Sequence, residues 1–237
     1  MTKMALDTLL YELKKAANPE KAIFHQRFFK TGPGEYGEGD VFMGINVPVL
    51  RRLAKQFKTL PLSDIHILLS DKIHEKRLLA LFMLVQRFQK GCSADQQHVY
   101  QFYLDHLSFV NNWDLVDSSA HHIVGAYLFK QSKDLLFKWA ESDNLWERRI
   151  AIMSTFYDIK QHRFETTLDL SRLLIRDKED LIHKAVGWML REIGKRDLAC
   201  EETFLNTYAA IMPRTMLRYA IERFPKEKRH TYLRKKT

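Results

Sequence analysis

Between Pro61 and Pro213 the chain has no proline, and only Gly91, Gly125, Gly187 and Gly194 supply glycine there. A strand-rich domain of that length needs more turn punctuation, so this scarcity argues for helices. Cysteine is scarcer still. Cys92 and Cys200 are the only two, far apart and in no C-x-x-C arrangement, which excludes a disulfide scaffold and a thiolate zinc site and favours a reducing compartment. The longest uninterrupted apolar run, Leu78 to Val85, is eight residues, far below a membrane span, and no charged segment followed by an apolar run opens the chain. Acidic residues are the minority, 29 against 38 Lys+Arg, giving a formal charge of +9 and a pI near 9.4. These limits predict a soluble, cytoplasmic protein whose field favours a polyanion. Nucleic acid comes first and an anionic membrane second, although a basic surface also serves solubility alone.

What is present is enough for a sizeable core. A chain of 237 residues buries roughly 70% of its unfolded surface. Residues 4 to 17 read as an amphipathic helix with Leu9, Leu10, Leu13 and Ala16 on one stripe. Asn18-Pro19-Glu20 stops it and starts a second, which carries Ile23, Phe24, Phe28 and Phe29. Five of the nine glycines fall between positions 32 and 44. Glu35, Glu38 and Asp40 in that stretch would repel phosphate and no Gly-Lys-Ser/Thr follows, so it reads as a shaped loop. From Pro48 onward Leu50, Leu53 and Ala54 form an apolar stripe while Arg51, Arg52 and Lys55 point outward. Further helices are predicted near 62–70, 73–90, 93–106, 113–129, 132–140, 144–158, 163–176, 179–196, 198–210, 213–223 and 225–233. The final cations, Lys226, Lys228, Arg229, Arg234, Lys235 and Lys236, read as a solvated tail.

A basic residue near a helix start, followed by apolar residues, recurs at Arg77, Arg149, Lys184 and Arg218, separated by 72, 35 and 34 residues. The missing member falls near position 113. Helix pairs at this period predict an all-α fold, an α-solenoid of HEAT-like repeats with a concave basic face. The expected organisation is a single helical repeat domain over 1–237, with N-terminal helices and the Gly-rich loop in 1–60 and repeats in 61–237. In that phasing the helices bearing Trp113, Arg149 and Trp188 are neighbours on the concave face.

Candidate chemistry gathers in three stretches. In Asn111-Asn112-Trp113-Asp114-Leu115-Val116-Asp117 the helical spacing stacks Trp113 on Asp117, on the side that also carries Val116, Ala120 and Val124. No Lys or Arg stands three or four residues from Asp117. A carboxylate on an apolar, aromatic face is either paired from elsewhere in the fold or kept for chemistry. Asn144-Leu145-Trp146-Glu147-Arg148-Arg149 opens with an N-cap and a capping-box Glu, and its two arginines fit a solvated face, or salt bridges to Asp134 or Glu141, as well as a ligand. Lys184-Ala185-Val186-Gly187-Trp188-Met189-Leu190-Arg191-Glu192 sets Trp188 among charges, although a Trp is more often core. His121-His122 with Asp117 lacks the spacing of a metal site, and Ser118-Ser119 has no nucleophile-elbow context.

Taken together, Asn111 to Asp117, Asp143 to Arg149 and Ala185 to Glu192, in this order in a basic helical chain, resemble the bacterial DNA alkylation repair glycosylases of the AlkD family. Phe29-Lys30, Gly34 to Asp40, Gly44-Ile45 and Pro48 are similar to that family's N-terminal pattern. The resemblance implies a HEAT-like solenoid that cups duplex DNA and hydrolyses the N-glycosidic bond of 3-methyladenine and 7-methylguanine, in base excision repair and without flipping the base into a pocket. It implies Asp117 as the catalytic carboxylate, Trp113 and Trp188 as aromatics at the lesion, Arg149 as the basic residue beside it and Arg191 as a phosphate-facing position. Arg148, Lys184, Arg52 and Phe28 join them as candidate DNA contacts. Where the family's better-known version has a second aromatic before the matched Trp, this chain has Asn112.

The expected partner is double-stranded DNA with alkylated purines, bound by a monomer with no metal or organic cofactor. Two other classes fit the same basic chain. One is a non-catalytic helical-repeat protein that binds distorted or branched DNA. The other is a solenoid scaffold for a protein partner, which predicts little affinity for DNA at physiological salt.

Overall fold

The computed structural model describes residues 2–234. Among these the secondary structure is helical, with one isolated parallel bridge between Val41 and Ile73. Two compact units divide the chain, residues 1–119 and 120–237.

In the first unit, α1 (Thr2–Ala16) and α2 (Pro19–Phe28) precede the Gly-rich loop, followed by α3 (Val47–Gln56), α4 (Leu62–Leu69), α5 (His74–Lys90), α6 (Ser93–Asp105) and α7 (Trp113–Ala120). Asn18 starts α2 by accepting a hydrogen bond from the Lys21 amide at 3.0 Å, and Pro19 fills a first-turn position that needs no donor. In α3 the expected stripe is buried, with Leu50, Leu53 and Ala54 inside and Arg51, Arg52 and Lys55 exposed. The centre of the unit is α5. Its run from Leu78 to Val85 is apolar all round and buried all round, and α3, α4 and α6 pack against it.

The Gly-rich stretch is the shaped loop that its sequence predicts, and its amides are taken by the protein's own carboxylates. Gly32 N donates to Glu35 at 2.9 Å and Gly34 N to Glu38 at 2.8 Å. Three consecutive amides, Met43, Gly44 and Ile45, donate to Glu75 of α5 at 2.9, 2.7 and 3.2 Å. Such a row of amides is an anion nest, filled here from within. Gly44 is needed for it. Its φ is +75°, and a Cβ would lie 2.1 Å from the Asn18 carbonyl oxygen. Gly44→Ala is therefore expected to cost on the order of 3 kcal/mol, read as a lower denaturant midpoint. An unshifted midpoint would show that the loop adjusts freely.

In the second unit a π-helical turn (His121–Gly125) runs into α8 (Ala126–Leu128), then α9 (Asp134–Ala140), α10 (Leu145–Ser154), α11 (Phe156–Lys160), α12 (Glu165–Leu173), α13 (Asp180–Gly194), α14 (Leu198–Tyr208), α15 (Arg214–Ala220) and α16 (Lys226–Arg234). Successive helices pack as the repeat predicts: α9 on α10, α10 on α13, and α13 on α14 and α15. The single helices expected over 113–129 and 144–158 are interrupted. The first widens into the π turn, at whose end a Cβ on Gly125 would come 2.1 Å from the Ser154 carbonyl oxygen. The second breaks at Thr155, where Thr155 Oγ1 and Ser154 Oγ both bond back to carbonyls of the preceding turn at 2.7 Å. The expected solvated tail is, as far as it is described, a docked helix. Tyr232 of α16 is buried and its hydroxyl donates to Asn206 at 3.2 Å, while Lys228 pairs with Glu202. Lys235 and Lys236 lie outside the described residues.

Candidate functional site

A buried polar network starts α7 in the first unit. Asn112 is fully buried; its Oδ1 accepts from the Trp113 amide at 2.8 Å and its Nδ2 donates to Asp40 Oδ2 at 3.0 Å. Arg77 donates through one guanidinium nitrogen to Asp40 Oδ1 and through the other to Asn111 Oδ1. His74 lies between two carboxylates, Nδ1 at 3.0 Å from Asp40 and Nε2 at 2.8 Å from Asp114. Burial alone would lower the His74 pKa, but the flanking Asp114 and Asp40 carboxylates outweigh it and raise the pKa to about 9. Burial pushes the Asp40 carboxyl up, and the His74 hydrogen bond with the Arg77 charge brings it below the usual range. Loop, α5 and α7 are thereby locked together.

The lock holds Trp113 and Asp117 in place. Trp113 is half-buried, stacked on Phe29 with ring centres 5.2 Å apart and set edge-on to Phe28 at 5.9 Å. Asp117 is half-buried one turn on, on a helix whose Val116 and Ala120 are fully buried. Its carboxylate acts on Tyr103. Burial pushes that phenol up, the hydrogen bond to Ser119 at 3.0 Å opposes the shift, and the charge of Asp117 adds to it.

In the second unit Asn144 caps α10 as predicted, accepting from the Trp146 amide at 2.9 Å. Arg149 is 4% exposed and donates to the Leu181 carbonyl in the first turn of α13. Arg148 pairs with Asp177 at 2.7 Å and donates to the Ser142 and Asp143 carbonyls at 2.9 Å; of the partners weighed from the sequence, neither Asp134 nor Glu141 is the one used. Trp188 is half-buried, its indole N–H donating to Glu192 at 3.2 Å. Burial pushes the Glu192 carboxyl up, but hydrogen bonds from Lys195 and Arg196 hold it below its usual range. Phe156 lies 6.1 Å from Trp188 and carries the Lys160 ammonium 4.4 Å from its own ring centre. Lys184 pairs with Asp180 at 2.7 Å and Arg191 with Glu222. In the first unit Arg52 and Phe28 are both exposed.

Counting from the first helical residue gives the repeat a sharper meaning. Arg149, Lys184 and Arg218 are each the fifth residue of α10, α13 and α15, and the fifth residue of α7 is Asp117. A carboxylate occupies the position at which three other helices carry a cation. Arg77 and Arg149 also act alike, each bracing the start of a helix 32 to 34 residues further on. Reasoning from sequence missed Asp40, His74, Asn112 and Asp114 as a unit. Asp40 registers there as a charge unfavourable to phosphate and as part of the N-terminal pattern, not as a partner of His74 or Asn112, which lie 34 and 72 residues away.

A family model described as DNA alkylation repair enzyme matches residues 9–224. Among solved structures, a predicted DNA alkylation repair enzyme from Enterococcus faecalis superposes with a TM-score of 0.71 at 19% identity, over 89% of this chain and 97% of that one. AlkD2 from Streptococcus mutans superposes with a TM-score of 0.54 at 17% identity, over 95% of this chain and 100% of that one. At such identities the likeness establishes a shared fold. No curated protein matches the chain. Because the family match runs over nearly the whole chain, and the helical fold agrees, the chain belongs to the DNA alkylation repair enzyme family.

Proposed function

We propose that the chain is a monofunctional DNA glycosylase that hydrolyses the N-glycosidic bond of cationic alkylated purines, 3-methyladenine and 7-methylguanine, in duplex DNA. Family membership gives the role in alkylation repair. The observation that carries the finer reading is the Trp113–Asp117 pair, held on α7 by the buried network, with the carboxylate where other repeats carry a cation.

The chemistry asks little of the protein. An N-alkylated purine is already a cation, so it leaves with the bonding electron pair as a neutral base and needs no general acid. Positive charge then develops on the sugar, where the Asp117 carboxylate stabilises it and orients the water that attacks C1′ and gives up its proton to the carboxylate or to solvent. Trp113 in the first unit and Trp188 in the second each offer a π face to a cationic nucleotide, a contact worth about 0.5–2 kcal/mol. Arg149, with Arg148, Lys184, Arg191, Arg52 and Phe28, makes the contacts to DNA that fix its register. No metal or organic cofactor enters the scheme.

The test is release of free methylpurines from methylated duplex DNA, separated by chromatography. Both bases are expected from the native protein and neither from unmethylated duplex. Retained DNA binding with no release would instead identify a DNA-binding relative without the reaction.

A further inference from the structure

We propose that His66 and His106 of the first unit form a two-histidine site for a divalent transition-metal cation of square-planar or tetragonal geometry, the class of nickel(II) and copper(II). The site stands apart from the glycosylase reading and does not depend on it. His66 lies in the last turn of α4 and His106 caps the C-terminus of α6, two helices that both pack on α5. Their ring nitrogens, His66 Nδ1 and His106 Nε2, are 2.9 Å apart. Metal–imidazole bonds are about 2.0–2.1 Å long, so two nitrogens on adjacent corners of a square-planar centre are about 2.9 Å apart, and on a tetrahedral centre about 3.3 Å. The pair has the first of these separations.

His106 is prepared for ligation. Its Nδ1–H donates to the Phe102 carbonyl at 2.7 Å. A carbonyl only accepts, so the proton of the neutral ring sits on Nδ1 and the lone pair of Nε2 faces His66. Metal-binding histidines are commonly held this way, the other ring N–H donating to a carbonyl that fixes tautomer and orientation. Packing holds the ring as well, since it stacks on Phe102 at 4.2 Å and on Phe109 at 6.3 Å. Without metal, His66 Nδ1 donates its proton to the His106 lone pair. With metal, that proton moves to His66 Nε2 or to solvent, and both nitrogens bind the cation in its place. His66 is exposed, so a hydrated cation reaches the pair without opening the core. Among the described residues no third His, Cys, Asp or Glu joins the pair. Water therefore fills the remaining positions, and affinity is on the order of micromolar, below that of a closed four-ligand site. A bound cation ties α4 to the segment that leads from α6 into α7.

Isothermal titration of the full chain, free of any affinity tag, with NiCl2 tests the site. One Ni2+ per chain is expected, and His66→Gln and His106→Gln are each expected to weaken its binding at least roughly tenfold. Zn2+, which favours the wider tetrahedral angle, is expected to bind less tightly. Cys92→Ser removes the exposed thiol and is expected to leave the titration unchanged. Heat denaturation gives a second readout. At a hundredfold excess over Kd, Ni2+ is expected to raise the melting temperature of the native protein by roughly 5–10 °C and to leave that of His66→Gln where it is. His66 is exposed, so the metal-free melting temperature of His66→Gln should match the native one and show that the variant folds. No binding of Ni2+, binding that survives His66→Gln or disappears with Cys92→Ser, or a preference for Zn2+ would overturn the proposal.

Discussion

Asp117→Asn is expected to slow base release roughly a thousandfold while DNA binding stays intact. The amide has the size of the carboxylate and none of its charge. A carboxylate about 4 Å from the sugar, at an effective dielectric near 20, supplies on the order of 4 kcal/mol of attraction to the developing cation. Most of that is absent from the ground state, because positive charge reaches the sugar only as the bond breaks. Binding should hold or tighten, since under the proposed mechanism the substitution removes a negative charge beside a polyanion. Single-turnover kinetics on methylated duplex, with binding measured in parallel, reads both quantities. A variant that keeps more than a tenth of the native rate would remove Asp117 from the chemistry.

The second large effect lies in the network beneath α7. Arg77→Met removes one member of a buried pair and leaves Asp40 facing only His74 and Asn112. Breaking such a pair costs about 3–5 kcal/mol, more than the new apolar side chain returns. Chemical denaturation measures it, and a loss below about 1 kcal/mol, the scale of an exposed pair, would show that the pair is not held as the structure has it. His74 adds a pH signature. Its pKa rises on folding from 6.5 to about 9, so the stability it contributes is fully present below pH 6.5 and is lost as pH rises through about 9. The shift amounts to on the order of 3 kcal/mol. The native protein should therefore lose stability across that window, and His74→Gln should show a flatter profile from a lower starting value. Parallel profiles would mean that His74 is not held as a cation.

The four residues at the centre of the proposed chemistry divide by how local their signals are. Trp113 and Asp117 are legible because helical spacing alone stacks them, and Arg149 and Trp188 because their segments match a family pattern. Their supports are not legible. Nothing near Asn112 announces that it replaces an aromatic with a clamp between the Trp113 amide and Asp40. Nothing near Arg148 announces that Asp177, 29 residues later, orients its guanidinium. The Gly-rich loop reads correctly as a shaped loop, but not as a nest already filled by Glu75.

By itself the sequence determined the helical class, the shaped loop, the basic character and the register in which a charged residue recurs near the starts of α5, α7, α10, α13 and α15. All of these rest on interactions within a few residues, or on composition, so the order of residues suffices. Tertiary structure decided which charges are spent inside the fold, how α7 is locked in place and that aromatic rings of α2, the loop and α7 share one cavity wall. The first two depend on side chains 29 to 72 residues apart meeting at hydrogen-bond distance, and the third on rings from separate segments meeting face to face or edge-on. Only packing around α5 and α13 brings such residues together.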